Sequence, residues 1–186
     1  MATTLVRRRP AIFLAAAVAV IVLGVVVAIN ARTGEISGGP LTLGDIPTET
    51  HIPTPVNTTV TYGVLVLRNR GSETATIKSI ELVPDGDQGG VEVVDIRVYA
   101  LSRGADIIGT ALNYDPPAQS VPARDSTIPP SNGENASGQE LIFGVRGEDP
   151  GIAKFKDVEI HYRIGSTRYV LSSRHTVWFC VGKETC

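Results

Sequence analysis

Nineteen consecutive residues, Ala11 to Ile29, carry no charge and no strongly polar side chain. As a helix rising about 1.5 Å per residue, such a run reaches roughly 28 Å, close to the ~30 Å hydrocarbon core of a bilayer. A lone strand in lipid would leave its N–H and C=O groups unpaired at several kcal/mol each, so helix is the only open solution. The run predicts a transmembrane signal anchor over residues 11–29, with the lipid bilayer as its partner.

Arg7, Arg8 and Arg9 stand directly before the run, whereas the residues just after it offer only Arg32, countered by Glu35. The positive-inside bias then leaves residues 1–10 in the cytoplasm and sends the rest of the chain across the membrane. A cleaved secretory signal is the competing reading, because small residues such as Ala28 and Ala31 suit a peptidase. The apolar run exceeds the ~7–15 residues usual for cleaved signals, which favours an uncleaved anchor. Either reading places everything after residue 30 outside the cytoplasm, with the cell membrane as the expected location.

Charge agrees with that destination. Beyond the Arg7–Arg9 cluster the chain holds fourteen Lys and Arg against nineteen Asp and Glu, a net of −5. That surface repels phosphate backbones and argues against nucleic acid as a partner. The chain's two cysteines, Cys180 and Cys186, both fall in the exported part, where thiols pair; a structural disulfide is expected. The abundance of Ala, Val, Gly and Arg beside scarce Lys is similar to the composition of proteins from GC-rich bacteria, which implies a bacterial envelope.

Residues 30–55 show no period of 2 or 3.6, and Gly34, Gly38, Gly39, Pro40, Pro47, Pro53 and Pro55 interrupt regular elements. The segment reads as a flexible stalk, with Leu41, Leu43 and Ile46 able to dock as a first edge strand instead. From Val56 to Cys186 alternation takes over. Val60, Tyr62, Val64 and Val66 share one face of a strand, with Leu65 and Leu67 opposite. Ala75–Val83 changes phase between Ile77 and Ile80, which a bulge near Lys78–Ser79 reconciles. Further strands are expected over Val94–Ala100, Ala105–Leu112, Glu140–Val145, Asp157–Ile164, Thr167–Ser172 and Thr176–Val181, with Gly165–Ser166 suited to a type II′ turn. The Pro-rich stretch Asn113–Gly138 is long for a loop in a compact domain, so it either functions or hides an edge strand near Gln119–Pro122. The expected fold is an all-β, antiparallel two-sheet sandwich over residues 56–186.

The stretch Val64-Leu65-Val66-Leu67-Arg68-Asn69-Arg70-Gly71, followed by Thr74-Ala75-Thr76-Ile77, resembles the strand, Asn-x-Gly turn, strand pattern of bacterial immunoglobulin-like extracytoplasmic modules. The resemblance covers about 15 residues. The Cys…Trp…Cys core of true immunoglobulin domains is missing, so the resemblance implies architecture and no activity.

Candidate chemistry is sparse. Gly-x-Ser-x-Gly, His-Glu-x-x-His and phosphate-cradling loops do not occur, which predicts no cofactor and a non-catalytic protein. Asp157, Glu159, His161 and Arg163 line one strand face, but same-face neighbours lie ~6.6–6.8 Å apart, too far to close on one ion; a solvated face is expected. Asp85 and Asp87 begin a Gly-rich turn in the manner of a calcium loop, with Glu92 as the nearby supplement, although the position that should hold the twelfth-ligand Glu is Ile96. Trp178 and Phe179 must point to opposite faces of the last strand, one into the core. The leading expectation is therefore a membrane-tethered binding or structural module contacting an envelope protein or a wall polymer through the Asn113–Gly138 loop. The alternative is a small-ligand or calcium-sensing ectodomain using Asp85, Asp87 and Glu92.

Overall fold

Alternating apolar side chains can only be covered from both sides if two sheets meet face to face, and the computed structural model resolves into that arrangement. The structure describes residues 34–44, 49–86, 90–102, 105–131 and 138–186. The apolar run 11–29 and Arg7–Arg9 lie outside them, and no helix of the described residues is long and apolar enough to cross a membrane.

Among the described residues thirteen strands follow in chain order: β1 (Glu35–Ser37), β2 (Leu41–Leu43), β3 (Glu49–Thr54), β4 (Thr59–Asn69), β5 (Ala75–Pro84), β6 (Val91–Ala100), β7 (Gly109–Ala111), β8 (Val121–Pro122), β9 (Thr127–Ile128), β10 (Gln139–Gly147), β11 (Gly151–Ile164), β12 (Thr167–Ser172) and β13 (Thr176–Val181). The first sheet runs β1-β12-β11-β13-β3, with β5 on the other side of β11 and β9 beside β5. The second runs β2-β4-β10-β6-β8, with β7 also on β4. The pairings with resolved register are antiparallel except β13 with β3.

The expected all-β, two-sheet sandwich is what forms, and three details of phase are instructive. Lys78 is the extra residue where Ser79 opposes His161 and Ile77 opposes Tyr162, so the expected bulge is there. A second irregularity sets Phe143 opposite Tyr62 but Leu141 opposite Leu65, which flips β4 so that Val60, Tyr62, Leu65 and Leu67 all enter the core. Strict alternation puts Val64 and Val66 with Tyr62; Val64 does stay in the buried cluster, but past the bulge Val66 is only half-buried and Leu65 and Leu67 take the core positions. A third shift between Phe155 and Asp157 lengthens β11 to 14 residues, with Ala153 and Phe155 buried in one phase and Val158, Ile160 and Tyr162 in the other. The Ile164–Thr167 pair brackets Gly165, whose φ of 55° fits the first position of a type II′ turn.

The segment read as a stalk contributes β1, β2 and β3, so that expectation needs correction. Its Gly and Pro residues punctuate short edge strands instead of preventing them: Gly38-Gly39-Pro40 turns the chain from the first sheet to the second, and Pro53 sits in β3 at a sheet edge, where a missing N–H is tolerated. The Tyr162 hydroxyl fastens this corner by donating to the Gly38 carbonyl at 2.7 Å and accepting from the Leu41 N–H at 3.3 Å. Leu41 and Leu43 do dock as an edge strand, on β4; Ile46 lies outside the described residues.

Between the sheets an aromatic cluster fills the core. The Tyr62 ring lies 5.3 Å from Phe143, 6.0 Å from His175 and 6.2 Å from Phe179, and Phe179 meets Phe155 edge-on at 6.0 Å. Burial pushes the Tyr62 phenol far above its ordinary range, keeping it neutral.

Candidate functional site

Three places collect polar or accessible side chains, and each is built by a different device. The first is the outer face of the first sheet, where cross-strand neighbours form a row. Lys154 opposes Trp178 and Trp178 opposes His51 in the register. The His51 ring stacks on Trp178 at 5.5 Å with a 7° interplanar angle, and Lys154 Nζ lies 4.8 Å from the centroid of the indole ring, over its face. Glu49 pairs with His51 at one end, and Asp85 pairs with Lys154 at 2.5 Å at the other. The ammonium donating to Asp85, and its charge, hold that carboxyl below its usual range. Trp178 is thus the outward member of the Trp178–Phe179 pair, as alternation requires, with Phe179 fully buried.

Of the predicted calcium ligands, Asp85 is engaged by Lys154 and Glu92 pairs with Arg146, while Asp87 lies outside the described residues. Among the described residues no three His, Cys, Asp or Glu side chains stand together as a metal cage. Each of the two placed carboxylates already has a cationic partner, which weakens the attraction for a divalent ion that the sequence alone suggested.

The second place is the turn between β12 and β13. Asp157, read as one member of a solvated strand face, is its hub. It accepts from the Ser172 and Ser173 hydroxyls and from the backbone N–H groups of Val158 (2.7 Å) and Arg174 (2.8 Å). Burial by itself raises its pKa, but these four donors hold the carboxyl below its ordinary value. Ser173 Oγ donates to Asp157 at 2.9 Å and accepts from the N–H groups of Val158 and His175, while the His175 ring stacks in the core on Tyr62. A serine becomes nucleophilic when a base takes its proton, and a carboxylate with lowered pKa is a poor base. Asp, Ser and His here clamp a turn in which Arg174 adopts a φ of 53°.

The third place is an open groove of about 490 Å³ at one end of the sandwich. Pro53, Pro55, Val56 and Leu112 give it an apolar floor, and Gly182, Lys183 and Glu184 form a wall. That wall belongs to the loop closed by the disulfide between Cys180 and Cys186, whose Cα atoms are 5.4 Å apart. The expected bridge is therefore present and also shapes the groove. Leu112, just past the end of β7, is 62% exposed and presents its side chain at the groove. Nothing in the spacing of Pro53, Leu112 and Lys183 announces that they meet.

The described residues of the Asn113–Gly138 segment form short strands. They include β8, the edge strand expected near Gln119–Pro122, and β9, and these close the free edges of β6 and β5. Residues 132–137 lie outside the described residues.

No family model and no curated protein matches the chain. Among solved structures, a Vibrio cholerae protease, VesB, aligns with a TM-score of 0.38 at 9% identity, over 76% of this chain and 32% of that one. The chain spans about a third of the length of that protein.

Proposed function

We propose that the chain is a non-catalytic, single-pass envelope protein that holds an immunoglobulin-like β-sandwich outside the cytoplasm and binds another envelope protein through the groove beside Leu112. The groove is the observation that carries the reading. An apolar concavity kept open by prolines, a disulfide-closed wall and an exposed leucine suits an apolar side chain of a protein partner. A wall polymer, rich in hydroxyls, would leave those hydroxyls unpaired against Pro53, Val56 and Leu112, so its desolvation argues for protein over glycan.

The location rests on separate supports. The apolar run and Arg7–Arg9 favour an anchor with a cytoplasmic N-terminus, and the Cys180–Cys186 bridge suits an oxidising compartment. In sequence, residues 30–34 separate the apolar run from β1.

A photo-crosslinking residue placed at Val56 of the full-length chain in its host tests the reading. The expected result is one dominant protein adduct, lost when Leu112→Asp is added and not reproduced from a crosslinker at exposed Glu81. Adducts that are equal from both positions, that survive Leu112→Asp, or that consist of glycan alone would overturn it.

A further inference from the structure

Over β4 and β10 the outer face of the second sheet is covered by the chain itself. Residues 105–114 cross it as a strap: β7 pairs with Thr61–Gly63 of β4, Thr61 Oγ1 donates to the Asn113 carbonyl at 2.6 Å, and the Tyr114 hydroxyl donates to Asp95 at 2.8 Å. The Tyr114 ring lies so close to Gly144 that a Cβ there would sit 3.0 Å from the ring carbons, which explains a glycine in mid-strand. Beneath the strap Ile142 is 0% exposed. Beside it Glu140, also 0% exposed, accepts the Ile108 N–H on Oε1 at 2.8 Å and the Gly109 N–H as well. Its other oxygen, Oε2, is buried and takes no hydrogen bond from any of the described residues.

A carboxyl with one oxygen used and the other buried dry has room for one proton, on the idle oxygen. We propose that Glu140 is a proton latch for the strap: protonated, it seats residues 105–114 on the second sheet; ionised, it loosens them and frees the Thr61–Gly63 edge of β4.

The sign follows from the two environments. Under the strap, burial raises the carboxyl's pKa and outweighs the two backbone donors that lower it. With the strap lifted, the carboxyl is hydrated and titrates near the ordinary ~4.3. The closed form therefore binds the proton more tightly, so closure is favoured below about pH 4.3 and weakened as pH rises through the raised value. The neighbouring charged and titratable groups do not take over this role. On β4 the outer face carries Val66 and Arg68; on β6 Tyr99 stands opposite Glu140, and Arg97 is held by Ser120. On the strap Tyr114 is held by Asp95 and Asp106 is exposed, and none of these side chains hydrogen-bonds the Glu140 carboxyl. Arg103 lies outside the described residues.

Hydrogen exchange of the Ile108 and Gly109 amides in the full-length chain, corrected for intrinsic rates, reads the latch between about pH 4 and about pH 8. Protection is expected to fall severalfold across that range in the wild type and to stay flat in Glu140→Gln, which cannot ionise. Tyr114→Phe removes the other clasp and should lower protection by one common factor at every pH. The proposal is overturned if wild-type protection is flat, if Glu140→Gln keeps the slope, or if Tyr114→Phe abolishes it. Should Glu140→Gln fail to fold, a carbon-13 titration of the wild-type Glu140 carboxyl decides: a midpoint above the ordinary carboxyl range supports the latch, and one at or below it overturns it.

Discussion

The two outer faces of the sandwich meet water in different ways. The first sheet paves its face with side chains in a row, from Glu49 through His51, Trp178 and Lys154 to Asp85. The second sheet hides its face under backbone, with Ile142, Gly144 and Glu140 beneath residues 105–114. The difference shows in the strands themselves. β4 and β10 are buried on nearly every residue, whereas β11 alternates. A strand that is apolar on both sides announces a third layer, and here that layer is a loop in place of a helix or another sheet.

The sharpest way to break this contrast is a matched pair of truncations. Ile142→Ala, beneath the strap, should cost about 2–5 kcal/mol, in the range of fully buried isoleucines. Ile152→Ala, on the outward face of the first sheet and 42% exposed, should change stability by no more than about 0.5 kcal/mol. Chemical denaturation of the two variants measures both. Equal costs would mean that the strap does not function as a third layer.

How far the sequence made this legible depends on phase. β12 and β13 could be read directly because nothing interrupts their period, and the Gly165 turn and the Lys78 bulge followed from local chemistry. The N-terminal half of β11 was hidden because the shift between Phe155 and Asp157 moves its apolar residues to the opposite parity. The stalk was misread for a related reason: strands as short as β1 and β2 hold too few residues to display a period, and only their long-range partners reveal them. Cys180 and Cys186 were legible as a pair, but the groove they help to wall depends on Leu112 and Pro53 arriving from segments distant in the chain. Asp157 was underestimated because a strand face looks solvated until the β12–β13 turn folds over it.

Asp157 gives the next test, since it is a polar group of the first sheet that is fastened in the manner of the second. Asp157→Ala removes four hydrogen bonds to one carboxylate and should cost about 2 kcal/mol, with faster amide exchange at Arg174. Because its folded pKa is lowered, its contribution is present above the unfolded value of about 3.9 and is lost as pH falls through the folded one. Denaturation curves against pH should therefore show a smaller acid-side decline in the variant than in the wild type. An identical decline would place the acid sensitivity elsewhere. Glu140 runs in the opposite direction, so the two faces are expected to respond to acid with opposite sign.

The smallest effect concerns the paved face. Lys154→Met keeps an unbranched apolar stem over Trp178 but removes the ammonium that lies 4.8 Å from its ring and meets Asp85. A partly exposed cation over an indole is worth about 0.5–1 kcal/mol, and the exposed ion pair adds little to that. Salt separates the two contributions, because screening acts on exposed charges and leaves the packing of the stem untouched. The difference between wild type and Lys154→Met should therefore shrink as salt rises toward 1 M, where the Debye length falls to about 3 Å. If it stays constant, the lysine contributes by covering the indole and not by its charge, and the row from Glu49 to Asp85 is held by contact area, in contrast to the strap, which is fastened by hydrogen bonds to Thr61, Asp95 and Glu140.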